Sequence, residues 1–126
     1  MNMEKKNSIL IVDDDVAILM ELTSILRSDY KLYVVCDGAS ALEKANESLP
    51  DLIMLDVFMP DMSGFEVISE LKKIERTKSI PVILMTGLSE EDSKNEGIAI
   101  GAVNYIQKPF NAETVKLMVS QHLNNH

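Results

Sequence analysis

Ile9-Leu10-Ile11-Val12-Asp13-Asp14-Asp15 is a short apolar run that stops on three carboxylates. Four apolar residues with no polar one between them read as a strand buried on both faces, as in parallel sheets with helices above and below. Comparable runs at residues 32–36, 52–55, 81–85 and 103–106 join 8–12 to give five expected strands. Longer stretches with helical spacing separate them. This alternation predicts an α/β fold, a five-stranded parallel sheet with five flanking helices. Right-handed crossovers and the absence of knots make a doubly wound sheet the simplest arrangement, with strand order 2-1-3-4-5 preferred.

The first helix is expected at residues 16–27, with Ile18, Leu22, Ile25 and Leu26 on its buried stripe and Leu19 and Met20 off it. Asp37 and Gly38 open the second, at 39–48, and Pro50 follows its end. The third begins at Ser63-Gly64-Phe65-Glu66, the spacing of a capping box, and buries Val67, Ile68 and Leu71. A fourth, at about 90–100, has Glu90, Glu91 and Asp92 in its first turn, where the helix dipole favours them. Its interior is weak, because Gly97 costs about 1 kcal/mol relative to Ala and only Ile98, Ala99 and Ile100 are apolar. It is therefore the helix most easily displaced. The fifth runs from an N-cap at Asn111 to about residue 123, with Val115, Leu117, Met118 and Val119 as apolar positions.

Polar residues follow each inner run. Asp13 and Asp14 end the first, Asp56 the run at 52–55, Thr86 the run at 82–85, and Lys108 lies just past Tyr105-Ile106. Parallel strands point one way, so all five groups are expected at one edge of the sheet, with Asp13, Asp14 and Asp56 flanking the point where strand order reverses. Three neighbouring carboxylates are costly unless something compensates. Hard oxygen ligands suit Mg²⁺, which keeps several waters and binds through one or two carboxylates plus a phosphate. Asp14 and Asp56 are the expected direct ligands, with Asp13 acting through water and the Phe58 backbone carbonyl filling another position. Taken alone, Asp13-Asp14-Asp15 would pass as an acidic helix start. The matching carboxylate, hydroxyl and ammonium at three other strand ends make that reading insufficient.

Length and composition agree with one ordinary domain spanning 1–126. The 126 residues are 46% hydrophobic and 25% charged, with a formal charge of -8 that disfavours direct nucleic acid binding. The most basic stretch, Lys72, Lys73, Arg76 and Lys78, is broken by Glu75 and reads as a solvated helix end. A single cysteine, Cys36 in the second apolar run, excludes an internal disulfide. The apolar run 9–12 is too short for a signal sequence, and no stretch could cross a membrane, so a cytoplasmic location is expected. His122 and His126 read as solvated.

The segments Ile11-Val12-Asp13-Asp14, Asp56-Val57-Phe58-Met59-Pro60-Asp61-Met62-Ser63-Gly64, Met85-Thr86-Gly87, Gly101-Ala102 and Tyr105-Ile106-Gln107-Lys108-Pro109-Phe110 carry a resemblance over essentially the whole chain. In these the chain resembles the receiver domain of two-component response regulators, proteins of flavodoxin-like fold. The rule locating the site at the strand-order reversal was drawn partly from chemotaxis regulators of this kind, so the two arguments are not independent. The resemblance implies that Asp56 accepts a phosphoryl group from a phosphohistidine of a sensor histidine kinase or histidine phosphotransfer protein, with Mg²⁺ required. It implies a cis Lys108-Pro109 bond, and a switch in which Thr86 turns toward the phosphoryl group and Tyr105 rotates inward. The responding face would be the fourth helix, fifth strand and fifth helix, which would bind a downstream effector. Tyr105 reads equally as a half-buried strand aromatic. Such a domain is a signalling switch catalysing its own phosphorylation and dephosphorylation, rather than an enzyme acting on an external metabolite.

Two positions depart from the commonest pattern of the family. Phe58 and Leu88 are apolar where many receivers carry a polar side chain that orients hydrolytic water, which predicts a long-lived phosphoaspartate. Leu19 and Met20 read equally as an exposed kinase-docking patch or as partly buried residues. Other Asp-based functions fit less well. A hydrolase of the haloacid dehalogenase type needs a second acid two residues after the nucleophile, where Phe58 stands. A flavodoxin-like electron carrier needs a hydroxyl- or glycine-rich phosphate loop where three aspartates stand. An unphosphorylated interaction module usually lacks part of the acid, Thr and Lys set.

Overall fold

The computed structural model describes residues 6–87, 98 and 100–123. In chain order the elements are β1 (Ser8–Val12), α1 (Val16–Leu26), β2 (Lys31–Val35), α2 (Gly38–Ser48), β3 (Leu52–Asp56), α3 (Gly64–Lys73), β4 (Val82–Thr86), β5 (Asn104–Gln107) and α4 (Ala112–Leu123). All five strands are parallel, in the order β2-β1-β3-β4-β5. The chain has the doubly wound architecture expected from the sequence. Helix α4 here is the fifth helix of that expectation. The stretch expected as the fourth lies, apart from Ile98 and Ile100, outside the described residues.

Strand side chains alternate faces, and the burial follows. Leu10, Val12, Ile53, Leu55, Val82 and Leu84 point to one side, where they pack with Ala41 and Ala45 of α2 and Val67, Ile68 and Leu71 of α3. Ile9, Ile11, Leu52, Met54, Ile83 and Met85 point to the other, against Leu19, Leu22 and Leu26 of α1 and Val115 and Val119 of α4. Covering both faces explains the unbroken apolar runs of β1, β3 and β4. Each fully buried Leu or Ile side chain contributes about 1.5–3 kcal/mol of transfer free energy.

Three of the helix starts are capped locally. Asp15 caps α1, accepting from the Ala17 amide at 2.9 Å. Ser63 and Glu66 form the reciprocal capping box of α3. Asn111 caps α4 through the Thr114 amide at 2.8 Å.

Several expectations are corrected. Leu19 is buried, because the sheet selects the stripe Leu19, Leu22 and Leu26, whereas Met20 is 68% exposed. Leu117 faces outward at 61% exposure. Cys36 is exposed, since it follows β2, an edge strand with one open flank. His122 is half-buried with Nε2 3.2 Å from the Asn104 side-chain nitrogen, not simply solvated. His126 lies outside the described residues.

Candidate functional site

The register aligns the strand ends. Val12 pairs with Leu55, Asp56 with Met85 and Thr86 with Gln107, so the residues that follow share one edge. Asp13, just past β1, is fully buried, and its Oδ1 accepts from the Asp15 amide at 2.9 Å. The same turn leaves Asp14 exposed. Asp56 ends β3 and is 5% exposed. The first turn of α3 presses on it so closely that a Cβ at Gly64 would lie 2.4 Å from the Asp56 carbonyl oxygen. That position therefore demands glycine. Carboxylate oxygens of Asp13, Asp14 and Asp56 all lie within 4.8 Å of one another.

Lys108 reaches this cluster from beyond β5. Its backbone N–H donates to the Thr86 carbonyl at 2.6 Å, and the Lys108-Pro109 bond is cis. The ammonium donates to Asp56 Oδ1 at 3.1 Å and lies 2.7 Å from Asp13 Oδ2. Asp13 Oδ2 has that charge beside it yet accepts no well-directed hydrogen bond, although it is wholly buried. Among the described residues, one cation thus stands at a cluster of three carboxylates.

The energetics reflect this imbalance. Burial, and then the charge of Asp13, push the Asp56 carboxyl up to about 6, against the opposing pull of Lys108. For Lys108, burial disfavours the ammonium, but Asp13 and Asp56 outweigh it and raise its pKa. A buried carboxyl that ionises reluctantly beside two others, with an undersatisfied oxygen nearby, is short of positive charge. A divalent cation with oxygen preference would supply it, so the residues present fit such an ion.

Of the remaining expected site residues, Thr86 is fully buried at the end of β4. Tyr105 is half-buried beside Leu84 and packs on the core shared with α2 and α3. Phe58 is 53% exposed at the rim. Leu88 lies outside the described residues. Sequence reasoning missed a role for Asp61, whose carboxylate accepts hydrogen bonds from the Gly38 and Ala39 amides of α2. Its partners are more than twenty residues earlier, so no local motif signals it.

Residues 9–120 match the response regulator receiver domain family. The chain belongs to that family. Among relatives of this receiver, histidine kinase P4 of Formosa agariphila is 38% identical over 97% of the chain, which spans 9% of that protein. The alkaline phosphatase synthesis transcriptional regulatory protein PhoP of Bacillus subtilis is 38% identical over 93% of the chain, which spans 48% of it. The chemotaxis protein CheY4 of Vibrio cholerae superposes with a TM-score of 0.88 at 32% identity, covering 93% of this chain and 98% of that one. The chain thus spans half or less of these two curated sequence relatives. Receivers are the switch components of two-component phosphorelays and interact with histidine kinases. Among the described residues no helix is long and apolar enough to cross a membrane.

Beside the acidic cluster, α1 and β2 form an apolar groove of about 440 Å³ lined by Val16, Leu19, Met20, Thr23, Arg27 and Val34, among others. Leu19 is its floor, while Val16, Met20 and Val34 stand exposed on its walls.

Proposed function

We propose that Asp56 is the phosphoacceptor of this receiver, taking a phosphoryl group from a phosphohistidine on a sensor histidine kinase or histidine phosphotransfer protein. The observation that carries this reading is the Lys108 ammonium set between Asp13 and Asp56, at 2.7 and 3.1 Å, in a pocket of three carboxylates. In the transfer, a carboxylate oxygen of Asp56 forms the new bond to phosphorus as the bond to the histidine nitrogen breaks. Aspartate is a weak nucleophile, so alignment and charge neutralisation provide most of the catalysis in a loose transition state. Lys108 stabilises the phosphoryl oxygens as Asp56 aligns the attack. Asp14, Asp56 and the Phe58 carbonyl, with Asp13 acting through water, would hold the Mg²⁺ assigned to the site, which when bound would supply further positive charge to those oxygens.

Thr86 and Tyr105 then form the switch. Thr86 closes β4, one strand from the acceptor, and accepts through its carbonyl from the Lys108 amide. Turning toward the phosphoryl group, it lets Tyr105 move inward and alters the surface of β5 and α4, where Val103 and Leu117 are exposed. An effector binds this altered surface. Near-complete switching requires the phosphoryl group to favour one state by about 5 kcal/mol. The α1 groove receives the phosphodonor partner, with Met20 and Val16 as contacts.

Incubation with acetyl phosphate and Mg²⁺ tests the chemistry. The intact protein is expected to gain the mass of one phosphoryl group, and neither Asp56→Asn nor a sample treated with EDTA should do so. A gain that survives both changes would refute the assignment.

A further inference from the structure

We infer that Asp61 is a positioning residue: from the loop that follows the phosphoacceptor it grips the start of α2, and this grip sets the backbone that completes the metal site. The inference rests on the reading of Asp56 as the phosphoacceptor beside Mg²⁺.

The loop at residues 57–63 is closed at its base, since the Val57 amide donates to the Met85 carbonyl at 2.9 Å and the Gly64 amide donates to the Val57 carbonyl at 2.7 Å. Between those points its apex leans on α2. Met59 is buried in the core that contains Ala41 and Ala45, with Leu42 and Met62 packed against it. A Cβ at Gly38 would meet the Met62 Cβ at 2.8 Å, so the helix start and the loop touch directly. The Asp61 carboxylate then accepts from the Gly38 amide at 3.1 Å and from the Ala39 amide at 3.4 Å.

These bonds supply acceptors that the helix itself cannot. A helix begins with four amides that lack partners within it. In α2 the Ser40 amide donates to the Asp37 side chain at 2.7 Å, and the Ala41 amide makes the first intrahelical bond, to the Asp37 carbonyl at 3.0 Å. The first two amides take their acceptor from Asp61, 23 and 22 residues along the chain. The helix cap and the phosphoacceptor loop are thus one unit. Phe58, whose carbonyl is assigned to the metal, has an exposed side chain. The position of its backbone is set by the buried Met59 beside it and by the Asp61 grip at the apex.

Calorimetric titration of the folded protein with Mg²⁺, paired with the rate of phosphorylation by acetyl phosphate at saturating Mg²⁺, tests this. Asp61→Ala is expected to weaken Mg²⁺ binding about tenfold, the scale of outer-shell losses at metal sites. Asp61→Asn keeps a carbonyl acceptor and should restore most of the affinity. Thr77→Ala breaks a remote buried hydrogen bond to the Leu71 carbonyl and serves as a control, losing stability to urea with unchanged Mg²⁺ affinity. Wild-type affinity and rate in Asp61→Ala would overturn the inference, whatever its urea midpoint. Equal weakening in Asp61→Asn would overturn it too, by assigning the effect to charge. Wild-type protein that takes up neither Mg²⁺ nor phosphoryl would instead sink the underlying reading, and this inference with it.

Discussion

At the scale of single residues, Asp56 links stability to function. Its carboxyl titrates near 6 in the folded chain against an ordinary value of 3.8. Between those values the folded state holds more protons than the unfolded state, so its contribution to stability falls as pH rises, and the loss is complete above about 6. Asp56→Asn removes that cost. Urea unfolding in EDTA is expected to place the variant roughly 1–3 kcal/mol above wild type at pH 7.5, with the gap closing near pH 4. A variant less stable than wild type by the same amount at both pH values would contradict this. We propose that Phe58 acts on the other side of the cycle. Its half-exposed ring offers no hydrogen bond to an attacking water, so Phe58→Asn should shorten the phosphoaspartate lifetime severalfold once donor is removed. Rapid hydrolysis unchanged by that substitution would refute the idea. Sequence spacing placed Asp13, Asp14, Asp56, Thr86 and Lys108 well, because each follows an apolar run whose end is easily read. It could not place Asp61, whose partners belong to another element.

At the scale of elements, the buried strands were the most legible part. Runs such as Leu52-Ile53-Met54-Leu55 need both faces covered, and this fixes β3 between its neighbours. The helices were legible at their caps and less so along their stripes. Ile18-Leu19-Met20 offers two stripes compatible with helical spacing, and only packing against the sheet chooses Leu19. That choice reshapes the expected docking patch into a groove with exposed walls. Met20→Ser is accordingly expected to slow phosphotransfer from a cognate kinase severalfold while leaving the rate with acetyl phosphate unchanged. Equal slowing with both donors would assign Met20 a structural role. Gly64 belongs to this scale as well. A Cβ there meets backbone, so Gly64→Ala should lower the unfolding free energy, read from urea denaturation, by more than the roughly 1 kcal/mol of an ordinary substitution. A neutral effect would mean that α3 slides away from β3 at little cost.

At the scale of the molecule, the two-layer covering of the sheet provides a rigid floor on which a charge-imbalanced pocket can persist. The apolar cores on both faces supply the stability, and the crowded carboxylates draw on it. A ligand that binds only the folded state raises stability with the logarithm of its concentration. The thermal midpoint should therefore climb steadily as Mg²⁺ is added, and the climb should flatten in Asp14→Asn. A midpoint insensitive to Mg²⁺ would disprove a metal site at the cluster. Connectivity and handedness narrowed the strand order to doubly wound alternatives, and the resemblance favoured the reversal between β1 and β3 that the structure shows. The proposed response of β5 and α4 to phosphorylation would be a property of two states, and a sequence pattern marks only its candidate parts, Thr86 and Tyr105.

The most direct test maps the phosphorylated residue itself. After reaction with acetyl phosphate and Mg²⁺, reductive trapping of the acyl phosphate followed by peptide sequencing is predicted to place the label on Asp56 alone. Label on Asp13, Asp14 or a carboxylate outside the cluster would contradict the account.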